Sequence, residues 1–224
     1  MRLSVIVPAL NEAAGIRACL DRLQGLRQRG HELILVDGGS VDETPALAAP
    51  LVDRVLGVPR GRARQMNAGA AAATGEVLLF LHADTRLPAD AAEAITAALA
   101  FHDWGRFDVV IEGRARILRV VARLMNLRSR LTGIATGDQA IFVRRTVFAA
   151  VGGYPDQPLM EDIALSSRLK RLGSPACLRA RVVTSGRRWE QRGVWRTILL
   201  MWRLRLAYWI GVPAERLARR YDAV

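Results

Sequence analysis

The chain has 224 residues, 51% of them hydrophobic, which is enough for one medium domain with a full core and excludes a disordered protein. Its 33 Lys+Arg against 21 Asp+Glu give a net charge of +12, and only Lys170 is a lysine. Such a charge favours anionic partners (phosphates, nucleotides, nucleic acid, a membrane surface) without choosing among them. Cys19 and Cys177 offer neither zinc spacing nor a disulfide framework and read as buried thiols in a reducing compartment. The apolar run at Leu3–Val7 is too short for a secretory signal, and no run approaches the ~18 residues that span a bilayer. A cytoplasmic protein is expected, at most peripheral at the inner face of the membrane.

Leu3–Val7 predicts a first buried strand stopped by Pro8. Ile16, Cys19, Leu20, Leu23 and Leu26 recur at helical spacing, with Asn11 placed as the cap and Gly30 as the stop. Leu33–Val36 is a second strand ending at Asp37-Gly38-Gly39-Ser40. The Ser40/Glu43 spacing of a capping box starts a helix at Val41. A third strand follows over 52–58, a helix over 62–73, and a fourth strand over 77–81 that runs into His82-Ala83-Asp84. Beyond it lie an Ala-rich helix (90–101), an alternating strand (105–113), a basic helical stretch (114–131), a strand entered through the polar turn at Gly137-Asp138-Gln139, and a helix opened by Glu161-Asp162 and closed by Gly173. Wholly apolar strands alternating with helices imply an α/β fold, a mostly parallel sheet covered on both faces. No linker divides the chain, so one domain is expected. It reads as a first half (1–104), a second half (105–190) and a C-terminal amphipathic segment (191–224).

Ligands in such sheets bind outside the carboxyl ends of the strands. Here those exits are Pro8-Ala9-Leu10-Asn11-Glu12, Asp37-Gly38 and His82-Ala83-Asp84, each carrying a carboxylate. Asp84 suits Mg²⁺ or Mn²⁺ bridging two phosphates, or equally a turn aspartate before Pro88. His82 is a second ligand, which would favour Mn²⁺, or a hydrogen-bonding neighbour. Asp37 suits a base or ribose hydroxyl as well as an ordinary turn. Arg60, Arg62 and Arg64 suit a diphosphate or a solvated basic turn. Glu161-Asp162 offers a general base, or two acids favoured by a helix dipole. Trp195, Trp202 and Trp209, spaced by seven and interleaved with arginines, share one helical face that suits core packing, a membrane interface or a homodimer.

Five stretches resemble family 2 glycosyltransferases of the GT-A fold: Val5–Glu12, Val36–Thr44, Arg60–Glu76 with Asn67, Phe80–Asp84, and Gly152–Gly173 with Glu161-Asp162. They fall in the family's order over about residues 3–175. The resemblance implies an inverting transfer of a sugar from a nucleotide diphospho-sugar (a UDP- or GDP-sugar) to an acceptor hydroxyl. It places Pro8, Ala9, Asn11, Glu12, Asp37, Gly38, Asn67 and Ala83 around the nucleotide, and Arg62 and Arg64 at the diphosphate. Asp84 matches the last acid of the family's Asp-x-Asp metal motif, with His82 where the first acid stands. Asp162 matches the catalytic base, with Glu161 positioning it or the acceptor. Gly137, Asp138 and Gln139 line the donor-sugar or acceptor side, and Trp189 follows an Arg pair similar to the Arg-Trp motif of processive synthases.

Two other readings compete. A sugar nucleotidyltransferase would show a Gly-rich basic signature after the first strand, where Pro8–Glu12 stand. A non-catalytic membrane or nucleic-acid binder fits the charge, but base stacking wants more than 6% aromatic residues, so nucleic acid is not an expected partner. The basic, apolar-patterned stretch 114–131 and the Trp helix suit a lipid-linked acceptor.

Overall fold

The structure, a computed structural model, describes residues 1–222 and every side chain among them except those of Arg188, Arg192 and Asp222. The first part of the chain alternates β1 (Leu3–Ala9), α1 (Ala13–Asp21), α2 (Gln24–Gln28), β2 (Glu32–Asp37), α3 (Thr44–Ala48), β3 (Arg54–Gly57), α4 (Arg62–Ala72) and β4 (Val77–Phe80). Then come β5 (Thr85–Arg86), α5 (Ala91–Ala98), β6 (Trp104–Glu112), α6 (Ile117–Thr132), β7 (Phe142–Arg144) and α7 (Arg145–Ala150). The last part holds α8 (Glu161–Leu169), β8 (Ala176–Ser185), α9 (Arg187–Arg192), α10 (Val194–Trp209) and α11 (Ala214–Asp222). The strands form one eight-stranded sheet in the order β3-β2-β1-β4-β7-β6-β8-β5. Strands β3, β2, β1 and β4 run parallel, while β7 is antiparallel to both of its neighbours.

Alternation along β1 sends its side chains to two cores. Leu3, Val5 and Val7 join Ile16, Leu20 and Ile95 on one face, and Ile6 joins Ala63, Met66 and Leu165 on the other. Helix α4 lies unusually close to the sheet. A Cβ on Gly69 would fall 2.4 Å from Cγ2 of Ile6, so only glycine lets the helix settle there. From the same helix the buried Gln65 donates to the carbonyls of Ala9 (2.8 Å) and Val36 (2.9 Å), fixing its position over the ends of β1 and β2.

Several expectations are corrected. Strand β1 runs through Pro8 to Ala9. The amides of a strand alternate in direction and the Ile6 carbonyl faces Leu81, so the N–H that Pro8 lacks would also face β4. Pairing with β4 stops at Ile6↔Phe80, whereas pairing with β2 continues to Ala9↔Asp37. The proline therefore ends one ladder and leaves a gap between the ends of β1 and β4. Asn11 does not cap α1; it takes a left-handed φ of 54° and binds Ser40 and Val41 instead. No helix starts at Val41, because the Ser40 hydroxyl is spent on Asp37 and the helix waits until Thr44. Cys19 is buried, and burial pushes its thiol up to about 12, but Cys177 is only half-buried. The tryptophans of α10 are not core: Trp195, Trp202 and Trp209 are 68%, 69% and 83% exposed.

Beyond β4 the sheet carries a second frame. Arg106, wholly buried in β6, donates to Ser129, Asp108 and the Asn126 carbonyl. Asn126 in turn bridges both polar groups of the Val109 backbone, at 2.9 and 3.0 Å, beside the register shift between Phe107 and Asp108. These contacts fix the C-terminal half of α6 against β6, next to the turn at Gly137. Among the described residues no helix is long and apolar enough to cross a membrane.

Candidate active site

The N-terminal turns of α4 and α8 meet over the gap beside β1. Arg62, the first residue of α4, reaches the Glu161 carboxylate at 3.4 Å. Glu161 is buried, and burial together with the neighbouring Asp162 raises its carboxyl above the ordinary range, with Arg62 opposing the shift. Arg62 is exposed on one side, and the carboxylates of Glu161, Asp138 and Asp162 around its guanidinium raise its pKa. Met160, just ahead of α8, holds a left-handed φ of 64°. Such a conformation in a non-glycine residue persists only where surrounding packing imposes it, and here Met160 is packed against Leu204 and Leu217 of α10 and α11.

Asp162 accepts the Gly137 amide at 2.9 Å and the Ile163 amide at 2.7 Å, which ties α8 to the turn before β7. The same turn meets the exit of β4. His82 Nδ1 lies 3.4 Å from Asp138, while its Nε2 is buried beside Gly137 with no hydrogen-bond partner among the described residues. Asp84 is exposed, its carboxylate 3.4 Å from the Thr85 hydroxyl that leans on it. The structure thus gathers Arg62, Glu161, Asp162, Gly137, Asp138 and His82 around one spot.

The metal question turns on this donor set. Among the described residues no group of three or more His, Cys, Asp or Glu side chains forms a metal cage. The exposed carboxylate of Asp84 fits a divalent ion that takes its remaining oxygens from a bound diphosphate, and an imidazole nitrogen such as His82 Nε2 suits Mn²⁺ better than Mg²⁺.

The other sequence candidates lie around this centre and have contacts of their own. Asp37 is buried, its Oδ2 accepting the amides of Gly39 and Ser40 at 2.9 Å and its Oδ1 the Ser40 hydroxyl, so it shapes the loop after β2. The Gly38 amide donates to Ala9, and Gly38 packs on Gln65. The Glu12 amide is held by Thr44, and its carboxylate lies 3.8 Å from Arg187 of α9. Pro8 and Ala83 are half-buried at the mouths of β1 and β4. Trp189 packs half-buried against the core under α9. Arg64 stands away from this centre, bound at the surface to both oxygens of Asp156 at 2.9 and 3.0 Å. Asn67 bonds the Tyr154 backbone at its amide and carbonyl, 2.9 and 2.8 Å, and so braces the scaffold. Gln139 is fully buried, locked in a capping box with Thr136 and 3.3 Å from Asn126.

Sequence reading missed Gln65, Asn126 and Arg128. The first stood inside the resembling block 60–76 without a distinguishing motif. The other two lie in the basic stretch 114–131, where nothing local separates an inward arginine from an outward one.

Comparison with known proteins follows this geometry. The family model described as Glycosyl transferase family 2 matches residues 4–148. A "PGL/p-HBAD biosynthesis glycosyltransferase" of Mycobacterium tuberculosis strain H37Rv is 36% identical over 167 residues, 67% of this chain and 62% of that protein. The chain thus spans about three-fifths of the length of the curated relatives it matches. The mannosyltransferase PcManGT of Pyrobaculum calidifontis, solved with GDP-Man and Mn²⁺, superposes with a TM-score of 0.65 at 23% identity over 92% of this chain and 61% of its own. Staphylococcus aureus TarS (1–349) with UDP-GlcNAc superposes with a TM-score of 0.66 at 18% identity, over 83% of this chain and 58% of its own. The mixed sheet and these likenesses give the fold as GT-A, and the chain belongs to glycosyltransferase family 2.

Proposed function

We propose that the protein is an inverting glycosyltransferase that moves a sugar from a nucleotide diphospho-sugar to an acceptor hydroxyl in one displacement. The observation that carries this reading is the meeting of Asp162 with Arg62 and Glu161 at the strand exits, held to Gly137 by a 2.9 Å hydrogen bond. The acceptor O–H gives its proton to the Asp162 carboxylate as the oxygen bonds to the anomeric carbon. The carbon–oxygen bond to the diphosphate breaks on the opposite face, and its electron pair leaves with the nucleoside diphosphate. Charge at the carbon is oxocarbenium-like on the way, as in glycoside cleavage, so charge matching on the leaving side matters most.

Arg62 is the cation of this chain placed to meet that leaving charge. Glu161, buried next to Asp162 and 3.4 Å from Arg62, would position that base or the acceptor. Asp84, with His82 beside it, would hold a divalent Mg²⁺ or Mn²⁺ ion, which when bound supplies charge neutralisation to the diphosphate. The loop shaped by Asp37, with Pro8, Ala9, Asn11, Glu12, Gly38 and Ala83 around it, would cradle the nucleotide. Gly137 and Asp138 would face the donor sugar.

UDP- and GDP-sugars are the first donors to try, in line with what TarS and PcManGT were solved with. The free thiols Cys19 and Cys177 suit a reducing compartment, and the cytoplasm is the location this reading takes. Calorimetric titration with UDP, GDP, CDP and dTDP, each with Mn²⁺ and with EDTA, tests it. Saturable binding of one nucleotide supports the reading, and no binding of any of them under either condition overturns it.

A further inference from the structure

Helices α6, α8 and α10 line an open cavity of about 420 Å³, with Arg128, Arg205, Ile163, Ser167, Tyr208 and Trp209 in its wall. It lies directly behind the proposed base, since Ile163 follows Asp162. Both arginines line it, and among the described residues Nε and Nη2 of Arg128 and Nε of Arg205 are buried with no hydrogen-bond partner. Where this protein buries a guanidinium for structure it pairs it, as Arg106 shows with Asp108, Ser129 and Asn126. An unpaired buried donor on a charged group costs far more than one left in water, and such a cost persists where something else supplies the partner.

Arg128 carries that cost visibly. Burial lowers its pKa, Arg106 adds repulsion, and Asp162 alone opposes them. Yet that attraction acts through space, since neither Nε nor Nη2 of Arg128 makes a hydrogen bond to Asp162. The cavity also has an apolar side, because Trp209 opens onto a stripe where Leu206, Ile210 and, on α6, Leu127 and Leu131 are all more than half exposed.

We propose that Arg128 and Arg205 clamp a phosphate group of the acceptor, whose remaining, less polar part rests on the exposed apolar stripes of α6 and α10. Two guanidiniums in an apolar wall call for about two negative charges, which a phosphate monoester carries near neutral pH. Their planar forks supply the several N–H donors its oxygens need. Placing the clamp beside Ile163 puts the acceptor hydroxyl on the Asp162 side. This rests on the transferase reading above and deepens it by naming the acceptor's chemical class.

The phosphate has two sources, a small soluble phosphate compound or a lipid headgroup, and two probes separate them. Inorganic phosphate is titrated calorimetrically into the wild-type protein, the Arg128→Gln/Arg205→Gln double variant and, as a control for net charge, the exposed Arg123→Gln. The same three are sedimented with vesicles of phosphatidylcholine alone and of phosphatidylcholine and phosphatidic acid in equal parts. The expected result is saturable phosphate binding, weakened about tenfold or more for each guanidinium lost and kept by Arg123→Gln. A lipid source shows as pelleting with phosphatidic acid vesicles that the double variant loses; binding of inorganic phosphate without such pelleting marks a soluble source. The double variant is expected to melt no lower than wild type, since it removes buried donors that have no partner, and this separates a lost site from a lost fold.

Titrations of UDP and GDP into the wild-type and doubly substituted proteins report the donor site independently. If neither these nor CDP or dTDP bind the wild-type protein, the transferase reading falls and the phosphate measurement stands by itself. Equal phosphate and vesicle binding by the double variant, or none by the wild type, overturns the clamp.

Discussion

The Arg62 guanidinium lies 3.4 Å from the Glu161 carboxylate, an ion pair that joins the first turn of α4 to the first turn of α8 across 99 residues of chain. It brings the half of the chain that resembles a nucleotide site into contact with the half that carries the proposed base. Because Glu161 is buried and next to Asp162, the pair is held at a cost that depends on pH.

That cost has a definite sign. Glu161 has a folded-state pKa above its ordinary value of 4.5, so the folded protein binds more protons than the unfolded chain in the window from 4.5 upward. Its contribution is most favourable below 4.5 and is lost as pH rises through the folded value. Glu161→Gln is expected to raise Tm at neutral pH and to flatten its fall with pH, each recovered kcal/mol appearing as about 2–4 °C. Turnover should fall in the same variant. Thermal melts over an acidic-to-neutral series check this; a lower Tm for Glu161→Gln at neutral pH would contradict it.

Asn67 holds the Tyr154 backbone through two hydrogen bonds, and its proposed role is to brace the scaffold. Asn67→Ala leaves both backbone groups of the buried Tyr154 without their partner and should cost about 2 kcal/mol, or about 4–8 °C. Nucleoside diphosphate affinity should be unchanged at a temperature where the variant is folded. A variant of wild-type stability with weakened nucleotide binding would return Asn67 to the nucleotide site.

Asp84→Ala and metal removal should act on the same term. EDTA is expected to weaken nucleotide binding by the wild type, and Asp84→Ala to bind weakly with or without Mn²⁺. Calorimetry in the four combinations decides; a Mn²⁺-dependent gain that survives Asp84→Ala would move the metal elsewhere.

Gly69→Ala tests the seat of α4. Its Cβ would meet Ile6 at 2.4 Å and Val36 at 3.0 Å, and overpacking of this kind costs about 1–3 kcal/mol. Since α4 carries Arg62, nucleotide affinity should drop along with the midpoint of urea unfolding. A variant unchanged in both would mean the helix is free to shift.

The strands β1, β2 and β4 were legible because each is built on a short, mainly apolar run between two covered faces. Strand β8 was missed, since Arg179 and Arg181 interrupt its apolar pattern where it lies near the sheet edge, beside the two-residue β5. The helix expected at Val41 failed because a capping-box spacing does not reveal that Ser40 already serves Asp37. A seven-residue tryptophan period fixed the shared face of α10 but not what that face meets, and the structure turns it outward. At the site, Asp162 and Glu161 stood out as an acidic pair at a helix start. Arg128 and Arg205 did not, because a cavity between three helices brings them together and no local spacing encodes it.

The central claim is tested most directly by Asp162→Asn, assayed for sugar transfer and for nucleoside diphosphate binding on the same preparation. A positioned general base contributes about 10²–10⁴ in rate, so transfer should fall by about that factor while nucleotide binding is retained. An Asp162→Asn protein that transfers sugar at the wild-type rate would contradict the assignment of the base.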